Sequence, residues 1–454
     1  MNTLRALSRA LNSGDISASE LVSDALAQAR NSESVFVELN DGLLTLAGLI
    51  DRARQKNEAV PALAGIPVTL KDLFNVRHQR TLAGSVALKN LARPEEKDAD
   101  VIAPLRDAGL LFLGRTNMSE FAFSGIGVNP HYGTPRSIWD RETGRLPGGS
   151  SSGSAVSVAE GIVVATLGSD TAGSCRIPAA FNGIVGVKPS YGRFSLHGIY
   201  PLSPTSDAPG PLARDVDSCY LLDQLMCGKL APQDALPEIP VRDAGSLTHA
   251  VPESRVLDDL DSEVQSAFDS TLDRLGNAGV HIKTVEMSAI DQSLDLFYNQ
   301  PIVLYEAYQH QRDLLERYGD QFDPFVRDRI LSGREISDDE QQSRYRAKVK
   351  LVELFNRQFK QLNIDALLYP TTPCIPPAIA ETDDPLNASK VNLRCLRNTA
   401  TANYFDGCSI SLPCHREGEA PVGLMVSAMN GDDEKLYSIS ATIERILQSN
   451  ARND

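Results

Sequence analysis

Two stretches of this chain carry residue types suited to acyl-transfer chemistry. Leu146–Gly161 reads LPGGSSSGSAVSVAEG, and Gly168–Ala180 reads GSDTAGSCRIPAA. In the second, the small residues Thr171, Ala172, Gly173 and Ser174 let consecutive backbone N–H groups converge on one point, with the Ser174 hydroxyl beside them. A nucleophile and an oxyanion hole could share that loop. Cys175 competes for the role because it is adjacent and intrinsically more reactive, but no positioned histidine accompanies it and a buried, inert thiol is the commoner outcome. Ser174 is therefore preferred. A serine nucleophile needs a base, and in the absence of a recognisable histidine the remaining choice is a lysine kept neutral. Lys71 directly follows the apolar run IPVTL, where burial would lower its pKa.

Other motifs in the same stretches are weaker. Gly149–Gly153 satisfies G-x-S-x-G with Ser151 at its centre, yet the preceding DRETGRLPG has no apolar run to form the strand that a nucleophile elbow requires. Asp170-Thr-Ala looks like half of an aspartic-protease site, but no second such motif exists to share the proton.

The elements that must position these groups alternate between helix and strand. Leu4, Leu7 and Leu11 after Thr3, and the S-x-x-E capping box of Ser17 and Glu20, predict two N-terminal amphipathic helices. PALAGIPVTLK, then DADVIAPLRDAG followed by LLFLGRT, then GIVVATLGSD and GIVGVKPS predict short buried strands separated by helices and Gly turns. From about residue 229 to about 365 the text turns to long charged helices, which reads as a peripheral helical region. IDALLYPTTP and APVGLMVSA return to strand, and DEKLYSISATIERILQ predicts a final helix.

At 454 residues with 42% hydrophobic and 23% charged residues, the chain has the composition of a globular protein rather than a disordered or fibrous one. No secretory h-region opens the sequence and no apolar run of about 18 residues occurs, so a cytoplasmic protein with no membrane partner is expected. The net charge of −15 opposes nucleic acid as the main partner. Seven cysteines without a C-x-x-C pair fit reduced thiols, and the histidines lack helical metal spacing, so no metal site is expected.

The string GGSSSGSAVSVAEG, with Ser174 in GSDTAGSCRIPAAFNGIVGVKPSYGR downstream, resembles the amidase signature family of amide hydrolases. GIPVTLKDLF around Lys71, GRTNMSEFA at 114–122, NPHYGTPRS at 129–137, DALLYPTTP at 365–373 and PVGLMV at 421–426 are similar to further family features. The helical middle matches least. The resemblance implies a single α/β/α domain with a mixed β-sheet flanked by helices on both faces. Its parts would be N-terminal helices (1–60), a catalytic core (61–228), a helical cap bearing specificity (229–360), and sheet completion with a C-terminal helix (361–454).

It also implies a Ser-cisSer-Lys triad: nucleophile Ser174, cis-peptide relay Ser150 and base Lys71, with Ser151 as a supporting hydroxyl. The oxyanion hole carries over to the backbone N–H groups of Thr171, Ala172, Gly173 and Ser174. Ala172 stands where glycine is common, and Ser152 replaces another frequent glycine; both changes are small. Asp170 and Arg176 are read as bracing the loop, with contact to a substrate carboxylate as the alternative for Arg176, and Tyr132 is either a wall of the substrate cleft or a core aromatic. The implied reaction is hydrolysis of a small linear carboxamide, without a cofactor, by a chain that could form a homodimer. The family alternative is the glutaminase component of a tRNA-dependent amidotransferase.

Overall fold

The protein is described by a computed structural model covering residues 3–450. Its strands in chain order are β1 (Phe36–Leu39), β2 (Pro67–Lys71), β3 (Leu111–Thr116), β4 (Ala165–Asp170), β5 (Val185–Lys188), β6 (Ala208–Ala213), β7 (Thr248–Glu253), β8 (His281–Glu286), β9 (Ala366–Pro370), β10 (Cys408–Pro413) and β11 (Gly423–Ala428). They form one sheet in the order β1-β3-β2-β4-β6-β5-β10-β11-β9-β7-β8. The sheet is mixed. β3, β2 and β4 run parallel, β4 to β9 are joined through antiparallel pairs, and β9, β7 and β8 are again parallel. Every residue of β2, β3 and β4 is buried, as required of strands covered by helices on both faces.

The expected N-terminal helices form at Leu4–Ser13 and Ala18–Asn31. Thr3 caps the first by accepting the Ala6 N–H at 3.2 Å, and the Ser17–Glu20 capping box opens the second. Leu4, Leu7 and Leu11 face inward, and a continuous hydrophobic core joins them to residues from all later segments. The text SAVSVAEG becomes the helix Ser152–Ala159, and the chain's last helix is Asp433–Asn450.

The structure corrects the reading of 229–360 as a purely helical cap. Helices do dominate there, at Ser262–Asn277, Ser288–Asn299, Ile302–Tyr318, Pro324–Leu331 and Asp338–Leu362. However, THAVPE and HIKTVE form β7 and β8 at the sheet edge, and β8 exposes most of its residues. An edge strand needs little apolar content, so its sequence carries a weak strand signal. β6, APGPLA, lies at the centre of the sheet despite two prolines. Its pairing with β5 is confined to Leu212 and Ala213, beyond both proline rings. Among the described residues no helix is long and apolar enough to cross a membrane, and no group of three or more His, Cys, Asp or Glu side chains is placed to hold a metal ion.

Candidate active site

β2 and β4 are parallel neighbours, with Thr69 opposite Thr166 and Leu70 opposite Leu167, so their carboxyl ends meet. That end of an open α/β sheet is where ligand sites commonly lie. Lys71 is the last residue of β2 and is fully buried. Its Nζ lies 2.7 Å from Ser150 Oγ and 2.9 Å from Ser169 Oγ, and no carboxylate among the described residues pairs with it. Burial pulls its pKa down to about 8, against the opposing pull of the Asp170 and Asp207 carboxylates.

The loop before the helix Ser152–Ala159 brings up the serines. The Gly149–Ser150 peptide bond is cis. Gly149 is obligatory by contact: a Cβ there would fall 2.4 Å from the Gly127 amide nitrogen. The Ser150 carbonyl accepts the Ser119 N–H at 3.2 Å, and the Ser151 N–H donates to the Ser174 carbonyl at 3.3 Å, which ties this loop to the one bearing Ser174. Ser151 Oγ donates to the Ser169 carbonyl at 3.3 Å.

The Thr171–Ser174 loop runs from the end of β4 to the helix Arg176–Phe181 and is held by a buried ion pair. Arg176 Nε and Nη2 donate to Asp170 at 3.0 and 2.9 Å, and both side chains are fully buried. Burial alone would raise the Asp170 carboxyl, but Arg176, Lys188 and Asn403 overcome it and hold the group at about 2. Asp170 also accepts the N–H groups of Gly173 at 2.8 Å and Cys175 at 3.1 Å. From the helix Pro385–Tyr404, Thr399 Oγ1 donates to the Ala172 carbonyl at 2.7 Å.

Two expectations change here. The Gly173 amide is committed to Asp170, so the loop amides without an acceptor among the described residues are those of Thr171, Ala172 and Ser174. Arg176 does not face a cleft: besides Asp170 it donates to the Thr399 carbonyl, Met425 Sδ and Asn403 Oδ1, so all five N–H donors are used and none is left for a substrate carboxylate. Cys175 is buried, its Sγ lies 3.6 Å from the Gly210 carbonyl, and burial beside Asp170 pushes its thiol well above the ordinary range. That environment suits an inert thiol.

Tyr132 is half-buried, with its hydroxyl enclosed and without a hydrogen-bond partner among the described residues; burial, then Asp72 and Glu120, push it up to about 12. A narrow cavity adjoins the loop, lined by Ala122, Ser169, Thr171, Tyr200, Asp207 and Ala208. Tyr200 stacks on Phe121 there, with ring centroids 5.8 Å apart. Ser169, Asp207, Thr399 and Asn403 escaped the sequence reading. Ser169 was findable as a hydroxyl one residue from the end of a buried strand, whereas Thr399 and Asn403 arrive from a helix more than 200 positions away.

The chain matches the family model described as Amidase over residues 20–437. It is a member of the amidase family. It is 34% identical to 2-amino-5-chloromuconic acid deaminase of Comamonas testosteroni, covering 88% of this chain and 86% of that one. It is 30% identical to the A component of the glutamyl-tRNA(Gln) amidotransferase of Syntrophus aciditrophicus, covering 98% and 96%. A crystal structure of an amidase superposes with a TM-score of 0.86 at 31% identity, over 98% of this chain and 99% of that chain. The amidase fold and hydrolysis at carbon–nitrogen bonds are thereby assigned to this chain.

Proposed function

We propose that this amidase hydrolyses the C–N bond of a small linear carboxamide through a Ser174 acyl-enzyme, with Ser150 and Lys71 as proton relay and base. The observation that carries the reading is a fully buried lysine, without a carboxylate partner among the described residues, 2.7 Å from the hydroxyl of Ser150, whose loop is bonded to that of Ser174. With a pKa of about 8, about a tenth of Lys71 is neutral at pH 7. Neutral Lys71 takes the Ser150 proton as Ser150 takes that of Ser174, and Ser174 Oγ attacks the amide carbonyl. The tetrahedral oxyanion is received by the amides of Thr171, Ala172 and Ser174. On collapse the C–N bond breaks, Ser150 returns a proton to the leaving nitrogen, and ammonia or an amine departs. Water, deprotonated through the same relay, then cleaves the ester and releases the carboxylic acid.

The test is ammonia release by the purified chain against a panel of carboxamides, beside Ser174→Ala. Turnover lost in the variant supports the reading; wild-type turnover in it refutes the nucleophile. A second reading, the glutaminase component of an amidotransferase, is favoured by near full-length similarity to such a protein. It requires glutamine hydrolysis only in the presence of partner proteins, so steady amide turnover by the isolated chain excludes it.

A further inference from the structure

We propose that Asp207 is a positioning residue for the reaction, holding the oxyanion loop through Thr171 and transmitting to it the placement of the helical region. The inference rests on the amidase reading above. Asp207 Oδ1 accepts the Thr171 hydroxyl at 2.6 Å, and Asp207 Oδ2 accepts the N–H groups of Leu202 and Ser203 at 3.0 Å each. Its carboxylate thus bridges two loops. Thr171 offers one of the loop amides that lack an acceptor among the described residues, so the hydroxyl contact sets where that amide points. Asp207, Thr171 and Ser169 line the same narrow cavity.

The far side of the bridge is tied to the helical region. Glu306, on the helix Ile302–Tyr318, accepts the Ser203 hydroxyl at 2.6 Å and the Thr205 hydroxyl at 2.8 Å, and Tyr345 from the helix Asp338–Leu362 donates to it at 2.5 Å. Movement of those helices is therefore felt at Thr171 through Ser203, Thr205 and Asp207. Asp207 acts on the base as well. Asp207 shares its cavity with Ser169, whose hydroxyl lies 2.9 Å from Lys71 Nζ, and the Asp207 and Asp170 carboxylates both favour the charged form of Lys71; burial, and then Glu306, raise the Asp207 carboxyl itself. Removing the Asp207 charge should let Lys71 lose its proton at lower pH.

Two variants separate the two actions. Asp207→Asn keeps size and an acceptor but removes the charge; Thr171→Val keeps the charge but removes the hydroxyl. The readout is the rate at which a fluorophosphonate labels Ser174 from about pH 5 to about pH 10, per folded molecule by circular dichroism. Both variants are expected to slow labelling by about tenfold at the plateau. Only Asp207→Asn is expected to move the midpoint of the rise with pH, and to move it downward. Wild-type plateau rates in both variants overturn the positioning role, as does a loss of labelling that merely tracks loss of folded protein. An unmoved midpoint in Asp207→Asn overturns the coupling to Lys71. A wild-type chain that resists labelling overturns the serine-hydrolase reading, and this one with it.

Discussion

Asp170→Asn isolates the charge that holds the Ser174 loop. The substitution keeps the shape of the side chain but leaves Arg176 as an unpaired cation with no solvent exposure. Removing one partner of a buried, hydrogen-bonded ion pair costs about 3–5 kcal/mol. The protonation equilibrium gives a second figure: holding Asp170 at about 2 instead of the ordinary 3.8 corresponds to about 2–3 kcal/mol at neutral pH. The two bracket a loss of about 2–5 kcal/mol, a large share of the ~5–15 kcal/mol that keeps a typical protein folded. Urea unfolding followed by far-ultraviolet circular dichroism at pH 7 measures it. Arg176→Met and the double variant complete the cycle, and the double variant should lose well under the sum of the singles because it strands no charge. A loss below about 1 kcal/mol in Asp170→Asn, or simple additivity in the double variant, would refute the claim that this pair anchors the loop.

Three further outcomes are expected. Gly173→Ala places a Cβ 2.1 Å from Thr399 Oγ1 at a φ of 135°. Ser174 labelling should fall at least about 100-fold while circular dichroism retains the fold, and near-normal labelling would contradict the loop geometry. His249 is buried with neither ring nitrogen bonded among the described residues, and burial depresses its pKa to about 4. It contributes stability that is full above its ordinary 6.5 and is lost as pH falls through about 4. His249→Leu should flatten that part of the stability-pH curve, and an unchanged slope would be the contrary result. Cys175→Ala should keep amide turnover within about threefold per folded molecule, since a thiol held protonated is not a nucleophile; abolished turnover in a folded variant would restore the thiol as a candidate.

Much of the frame was legible because local chemistry and global packing agree. Ser17 and Glu20 build the expected capping box, and the Val/Ile-rich runs around Lys71 and Asp170 become β2 and β4. The failures have physical causes. β6 hides behind Pro209 and Pro211, which a strand pattern penalises, and β8 is an exposed edge with little hydrophobic signal. The rule that placed a neutral lysine after an apolar run also selects Lys188, which follows GIVGV and is likewise buried with a pKa of about 8. Only the structure separates them: Lys188 donates to the carbonyls of Pro189 and Gly407, whereas Lys71 meets two hydroxyls. The substrate-facing reading of Arg176 failed because nothing in RIPAA announces Asn403 and Thr399, which consume its donors from a distant helix.

The central claim is that Ser174, and not Ser150, Ser151 or Cys175, is the residue that becomes acylated. Peptide mapping by mass spectrometry after treatment with a fluorophosphonate tests it directly. A single adduct on Ser174, absent in Ser174→Ala and strongly slowed in Lys71→Ala, is the expected result. An adduct on Ser150, Ser151 or Cys175 in the wild-type chain, or labelling of Ser174 that is indifferent to loss of Lys71, would contradict the account.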